Sequence, residues 1–420
     1  MTEADSRAAS TDTRRRQSLQ SPSGFLSPVS YMPPESRFLL EHYLHRTGKL
    51  ASAHIGSARP FIDSLLPVAH SSDVLLEAIL TFSSSHLAAG NCHQSLVAQF
   101  EHHAVALRAL KFGVTTYANG NREIGIELFL SMLILCCVEL ANGGGNDSAF
   151  RHLKAVRQFA HSVLTNPWSE KYRVAVIFGM ELWAYFLAVS CSSLPDAPDA
   201  AMIEDANFLF SRIAENGSTG ALFGCAEDLF RLVPVTVAVW RQARESARVF
   251  DADVMAMLER IESVTYEVSL WHPQSVDITF ECSGRIFQLA LLALLAEAHC
   301  SCTPYVVVSE LSGLLSVELN LAITPLVTEF VALLDTLPVN SYITTTMCWS
   351  IAILGSFATV PSHRAAIRMY LLNMEDLFGF KNMTQTRLLL ETLWQQRTDL
   401  VIPIDISLVM QQTGGIFLLG

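Results

Sequence analysis

Residues Ile124–Leu140 read IGIELFLSMLILCCVEL. A helix drawn through them is apolar on every side. Such a helix is one enclosed by others, so the stretch predicts a central core helix with amphipathic helices around it. The text on either side has that character. Upstream, Asp73 is placed to cap a helix whose stripe is Leu75, Ile79, Phe82 and His86, at helical spacing. The next helix carries Val97, Phe100, Ala104 and Leu107 as its inward stripe, with Gly113 read as its C-cap. Downstream, Asn142-Gly143-Gly144-Gly145 makes a turn. Asn146 or Asp147 then caps a helix with Ala149, Leu153, Val156 and Ala160 inward.

Helical text continues over 171–190, 201–213, 219–246, 251–268, 284–299, 305–334, 341–356, 363–378 and 384–398. Breaks are expected at Pro195 and Pro198, Asn216-Gly217, Pro234, Pro273, Pro304, Pro325, Pro338 and Pro361. Two-residue alternation is almost absent, and only short runs such as Tyr305–Val308 read equally well as strand. The expected fold is all-α, a multi-helix domain of antiparallel helix pairs over 35–420, beginning with a helix near Glu35–Arg46. Residues 1–34 are rich in Ser, Thr, Arg and Pro, lack apolar periodicity, and read as a disordered tail.

The totals narrow the function. The chain has 420 residues, 50% of them hydrophobic and 16% charged, which demands a large core. A net charge of −12 argues against wrapping nucleic acid or adhering to an anionic membrane. A spanning helix needs roughly 20 apolar residues. Val174–Leu194 approaches that length but holds Glu181, and the uncharged text between Asp335 and Arg364 is broken by Pro338 and Pro361. Both read as buried core, not membrane. The start of the chain has no apolar signal segment. Nine scattered cysteines, an odd number, fit reduced thiols in the cytosol or nucleus.

Chemistry is hard to find. Gly143–Gly145 lacks the lysine of a phosphate loop, and Gly217-Ser218-Thr219-Gly220 has the wrong spacing for a nucleophile elbow. Around His42, His45 and His102-His103 neither H-E-x-x-H nor Glu-x-x-His occurs, and Cys136-Cys137 and Cys300/Cys302 do not form finger pairs. The expectation is therefore no catalytic residue, cofactor or metal. Arg151, Lys154 and Arg157 recur every three residues and read as an outer helix face. In the tail, Arg14, Arg15 and Arg16 form a candidate nuclear-import cluster. Ser18 follows two arginines, and Ser21 and Ser27 each precede proline; the three are candidate phosphosites.

Several blocks, in order, carry a resemblance. They are Leu65-Leu66-Pro67 with Leu75–Leu80 and Ser84–Leu87; Phe100–Leu110, Leu128–Leu140 and His152-Leu153; then Cys348–Gly355, Arg364 and Leu388–Trp394 with Arg397; and finally Ile404–Gly414 with Leu418-Leu419. Together they resemble the regulatory, or middle homology, domain of fungal Zn2Cys6 transcription factors, in the branch called fungal-specific transcription factor domain 2. Lys154, Ser350 and Ile406 depart from the family's usual Gly, Pro and Trp. The resemblance implies an all-α domain over about 35–420 and a nuclear regulator of transcription, with metabolic or secondary-metabolite genes as its targets.

The family's DNA reader is a six-cysteine cluster, and here the first cysteine is Cys92, within the helical text. The expectation is a regulator without that module. It would reach DNA only indirectly, through a zinc-cluster transcription factor or as a homodimer, with a small-molecule effector as a further candidate partner. Two other readings stand beside it: a helical scaffold or adaptor outside transcription, and an all-α enzyme using Glu139, Glu181, His152 and His299.

Overall fold

A computed structural model describes residues 32–53, 59–89, 93–144, 148–194, 196–249, 254–275, 277–302, 312–396, 406–413 and 415–420. Arg14, Arg15, Arg16, Ser18, Ser21 and Ser27 lie outside the described residues, as do 1–31, the caps Asn146 and Asp147, and Tyr305–Val308. Among the described residues every regular element is a helix and none is a strand.

Pro34–His42 (α1) runs through a π-turn, Tyr43–Thr47, into Gly48–Leu50 (α2). Pro60–Ala69 (α3), Asp73–Ala89 (α4), His93–Ala118 (α5), Gly125–Asn142 (α6) and Ser148–Leu164 (α7) follow. Next are Arg173–Ser193 (α8), Ala200–Asn216 (α9), Glu227–Val249 (α10), Val254–Ser269 (α11), Ile278–Cys302 (α12) and Ser312–Thr336 (α13). A 3-10 turn, Tyr342–Thr346, leads to Cys348–Ser356 (α14), Pro361–Phe378 (α15), Lys381–Gln396 (α16) and Ile406–Thr413 (α17).

Successive helices pair, as in α4–α5, α6–α7, α8–α9, α11–α12, α12–α13 and α15–α16. The pairs wrap three long apolar helices. α6 packs on α4, α5, α7 and α8; α8 packs on α3, α6, α9 and α10; α12 packs on α10, α11, α13 and α14. The chain's end returns to this centre, with α16 against α6 and α17 against α8. Four helical stretches are long and apolar enough to cross a membrane: Gly125–Asn142, Glu170–Ser193, Ile278–Cys302 and Leu319–Thr336. The first three are 78%, 94% and 67% buried within the protein, so the fold uses their apolarity internally; the fourth is only 28% buried. The uncharged text after Asp335 is not one helix but the end of α13, the 3-10 turn, α14 and the start of α15.

Local rules set most boundaries. Asp199 caps α9 through a 2.6 Å bond from the Met202 N–H. Gly143 and Gly144 close α6 in left-handed conformation (φ +83° and +59°), returning their N–H groups to the Leu140 and Glu139 carbonyls. Other expectations need correction. Gly113 is not a cap: α5 continues to Ala118, and a Cβ at 113 would come within 2.5 Å of Leu128 Cδ2. That glycine lets α5 approach α6. Pro234 and Pro325 do not break their helices either. An interior proline costs about 3 kcal/mol, which is outweighed for α10 by the burial of Leu232, Val233, Val237 and Val239 around it. Helical text expected from 219 begins only at Glu227, because 217–226 is a loop held by Glu181, described below.

Candidate functional site

α5 has two faces. Ala106, Gly113 and Tyr117 face the core, and Gln99 donates to Asn142 Oδ1 at 2.8 Å. The stripe expected to point inward instead lies outside. Val97, Phe100 and Leu107 are 60%, 69% and 42% exposed, and Val114 continues them at 39%. With Ala104 and Lys111 they recur at alternating spacings of three and four, the a/d pattern of a coiled-coil seam. Exposed Glu101 and Arg108 flank it one heptad apart. Ala106 and Gly113 let α4 and α6 lie close on the inward side, with Tyr117 buried one turn further on, while several larger apolar side chains face outward.

A second apolar surface lies across α11, α12 and α13. Tyr266, Leu292, Leu295, His299 and Leu326 line an open groove of about 630 Å³. Leu321 on α13 is exposed beside it. The cavity bounded by Phe61, Phe82, Cys137, Tyr185, Phe380 and Gly420 is only about 50 Å³. Ligand sites run to roughly 300–1,000 Å³, so that cavity holds a few waters at most.

The polar residues singled out in the sequence fall in different places. Glu181, wholly buried on α8, accepts from Ser218 Oγ (2.8 Å), Thr219 Oγ1 (2.6 Å), the Thr219 N–H and the Ala221 N–H (3.2 Å). The Gly217–Gly220 text is thus a clamp that satisfies a buried carboxylate. The proximity of Glu181 acts with burial to hold the Glu227 carboxyl above its usual range, burial being the larger cause. His299 is exposed at the rim of the α12 groove. Arg157 bonds Asp205 (Nε–Oδ2 2.6 Å) and Asp199 (3.3 Å) on and beside α9, and His161 bonds the other Asp205 oxygen at 2.7 Å. The Arg151–Lys154–Arg157 row is therefore not a free basic face.

Glu139 and His152 do come together, and His103 of α5 joins them, the three ligand atoms lying within 4.8 Å of one another. Burial, reinforced by His103 and Arg151, holds the His152 imidazole down at about 4, so it is neutral at physiological pH. Linear spacing cannot show this trio, because each member comes from a different helix.

His86 ties three elements together. Its Nε2 bonds the Phe378 carbonyl at 2.8 Å, its Nδ1 meets Thr47 Oγ1 at 2.9 Å, and its ring stacks on Phe380 at 4.6 Å. Burial is the main cause that lowers its pKa to about 4, with His42 and Arg46 lowering it further. Burial likewise pushes up the thiols of Cys136, Cys137, Cys191 and Cys348. They are inert packing groups.

Residues of the sequence blocks also serve packing. Trp349 is fully buried and donates to Ser192 Oγ at 3.0 Å. Trp394 Nε1 donates to the Gly355 carbonyl at 2.9 Å, while Arg364 donates to the Ala358 carbonyl at 2.8 Å and lies 5.9 Å from the Trp394 ring. These contacts give Trp, Gly and Arg at those places a packing role.

The chain is thus an all-helical body with apolar outer faces, many of whose polar groups hold its helices together. The chain belongs to the family of the fungal specific transcription factor domain, whose model matches residues 38–418. That family is not a class of enzymes. No curated protein and no solved structure matches the chain.

Proposed function

We propose that this protein is a nuclear transcription regulator of a metabolic or secondary-metabolite gene set. It pairs with a second copy of itself through α5 and reaches DNA through a zinc-cluster partner. The observation that carries the reading is the bare a/d seam on α5 in a domain of this family. Charge complementarity favours a second, antiparallel copy. That arrangement sets Val97 against Val114 of the second copy and Ala104 against Leu107, with Phe100 across from Lys111. Glu101 then lies beside Arg108 of the other copy, twice, on the flank of the seam. Indirect DNA contact rests on two features: none of the nine cysteines forms a C-x2-C pair within these 420 residues, and the net charge is −12.

Deletion of the gene followed by transcript profiling tests the function. Selective loss of one co-regulated gene set supports it. An unchanged transcriptome together with a cytoplasmic tagged protein contradicts it and favours an adaptor role. Purified protein alone is expected to give no sequence-dependent retardation of promoter DNA, and a salt-resistant, selective shift refutes the indirect route.

A further inference from the structure

We propose that His103, Glu139 and His152 bind a divalent first-row transition-metal ion, with zinc the best fit to two imidazoles and one carboxylate. Their ligand atoms lie within 4.8 Å of one another and each residue is half-buried. Bound to one ion at about 2.0–2.2 Å, such atoms stand roughly 3.3 Å apart, so the closure required is within reach of small side-chain rotations. Among the described residues no hydrogen bond to these three side chains is formed, and each stays partly open to solvent. Partial exposure leaves a fourth position for water, as an open three-ligand site requires.

The fold also fixes the site. Glu139 is in the last turn of α6 and His152 near the start of α7, and the left-handed Gly143-Gly144 turn holds those two ends side by side. The carbonyl end of α6 favours a cation. His103 reaches in from α5, so an ion there fastens α5 to the α6–α7 hairpin. The site rests on these contacts alone and stands whether or not α5 pairs with a second copy.

The test uses the full chain, stripped with chelator and dialysed against Zn²⁺ or, as a spectroscopic probe, Co²⁺. One equivalent is expected to be retained, with a visible Co²⁺ spectrum of nitrogen and oxygen ligation and a raised melting temperature in Zn²⁺. Glu139→Gln and His103→Ala, both at half-exposed positions, are each expected to weaken binding by at least about tenfold, since even loss of an outer-shell partner costs that much. His103→Ala with His152→Ala is expected to abolish it. Folded wild type that retains no ion overturns the proposal, as does retention unchanged in the folded variants. Should the double variant not fold, the wild-type spectrum decides: thiolate charge-transfer bands place the ion on cysteine and also overturn it.

Discussion

α8 and α5 are both long helices with abundant apolar side chains, and they place them in opposite ways. Nineteen of the residues of α8 are buried, including a carboxylate, Glu181, for which the 217–226 loop provides four donors. α5 buries Ala106, Gly113 and Tyr117 and leaves Val97, Phe100 and Leu107 in solvent. The difference teaches that apolar text has two uses in this chain. Where it surrounds a helix it builds the core, and where it forms a second stripe on an already packed helix it stays at the surface, where the proposed pairing would use it.

Substitutions should separate the two. Trp183→Ala on α8 removes a buried indole that packs edge-on to Phe129 at 6.3 Å. It is expected to cost about 3–5 kcal/mol in urea unfolding followed by circular dichroism. Glu181→Ala strands the donors of the clamp loop and should cost about 3 kcal/mol; a loss under about 1 kcal/mol would show that the loop is not held by that carboxylate.

Acid provides a third contrast. The folded pKa of His86 is depressed to about 4 from 6.5, so the unfolded chain binds more protons between those values. The stabilisation is complete above pH 6.5 and is lost as pH falls towards 4, by up to roughly 3 kcal/mol for this nearly buried ring. Unfolding midpoints measured across that window should fall in wild type and fall less steeply in His86→Gln, where His152, also held at about 4, keeps part of the dependence. The smallest expected effect on stability is at α5. Phe100→Ser should move the unfolding free energy by no more than about 0.5 kcal/mol, while weakening self-association in sedimentation.

The central helix was legible in Ile124–Leu140, and the all-α class in the helical text that continues on both sides of it with almost no two-residue alternation. The orientation of α5 was not. Its heptad was visible, but a single sequence does not say which of two stripes meets the core, and the true inner side of Ala106, Gly113 and Tyr117 has a weak hydrophobic signature. Gly113 read as a stop because helix ends and close helix approaches both call for glycine. The proline rule failed at Pro234 since tertiary burial exceeded its local cost. The His103–Glu139–His152 trio was hidden because its members are far apart in the sequence and meet only through the α5–α6–α7 topology.

The central claim is that the outer stripe of α5 is an interface between copies, and sedimentation equilibrium of charge-swapped chains tests it most directly. Wild type should show reversible, concentration-dependent dimers, in the range of about 1 μM for so small an interface. Glu101→Arg alone and Arg108→Glu alone should each be monomeric, and the chain carrying both should dimerise again, since each copy then offers the opposite charge to its mate. Dimers unaffected by either single reversal, or a wild type that stays monomeric at every concentration, would contradict the account.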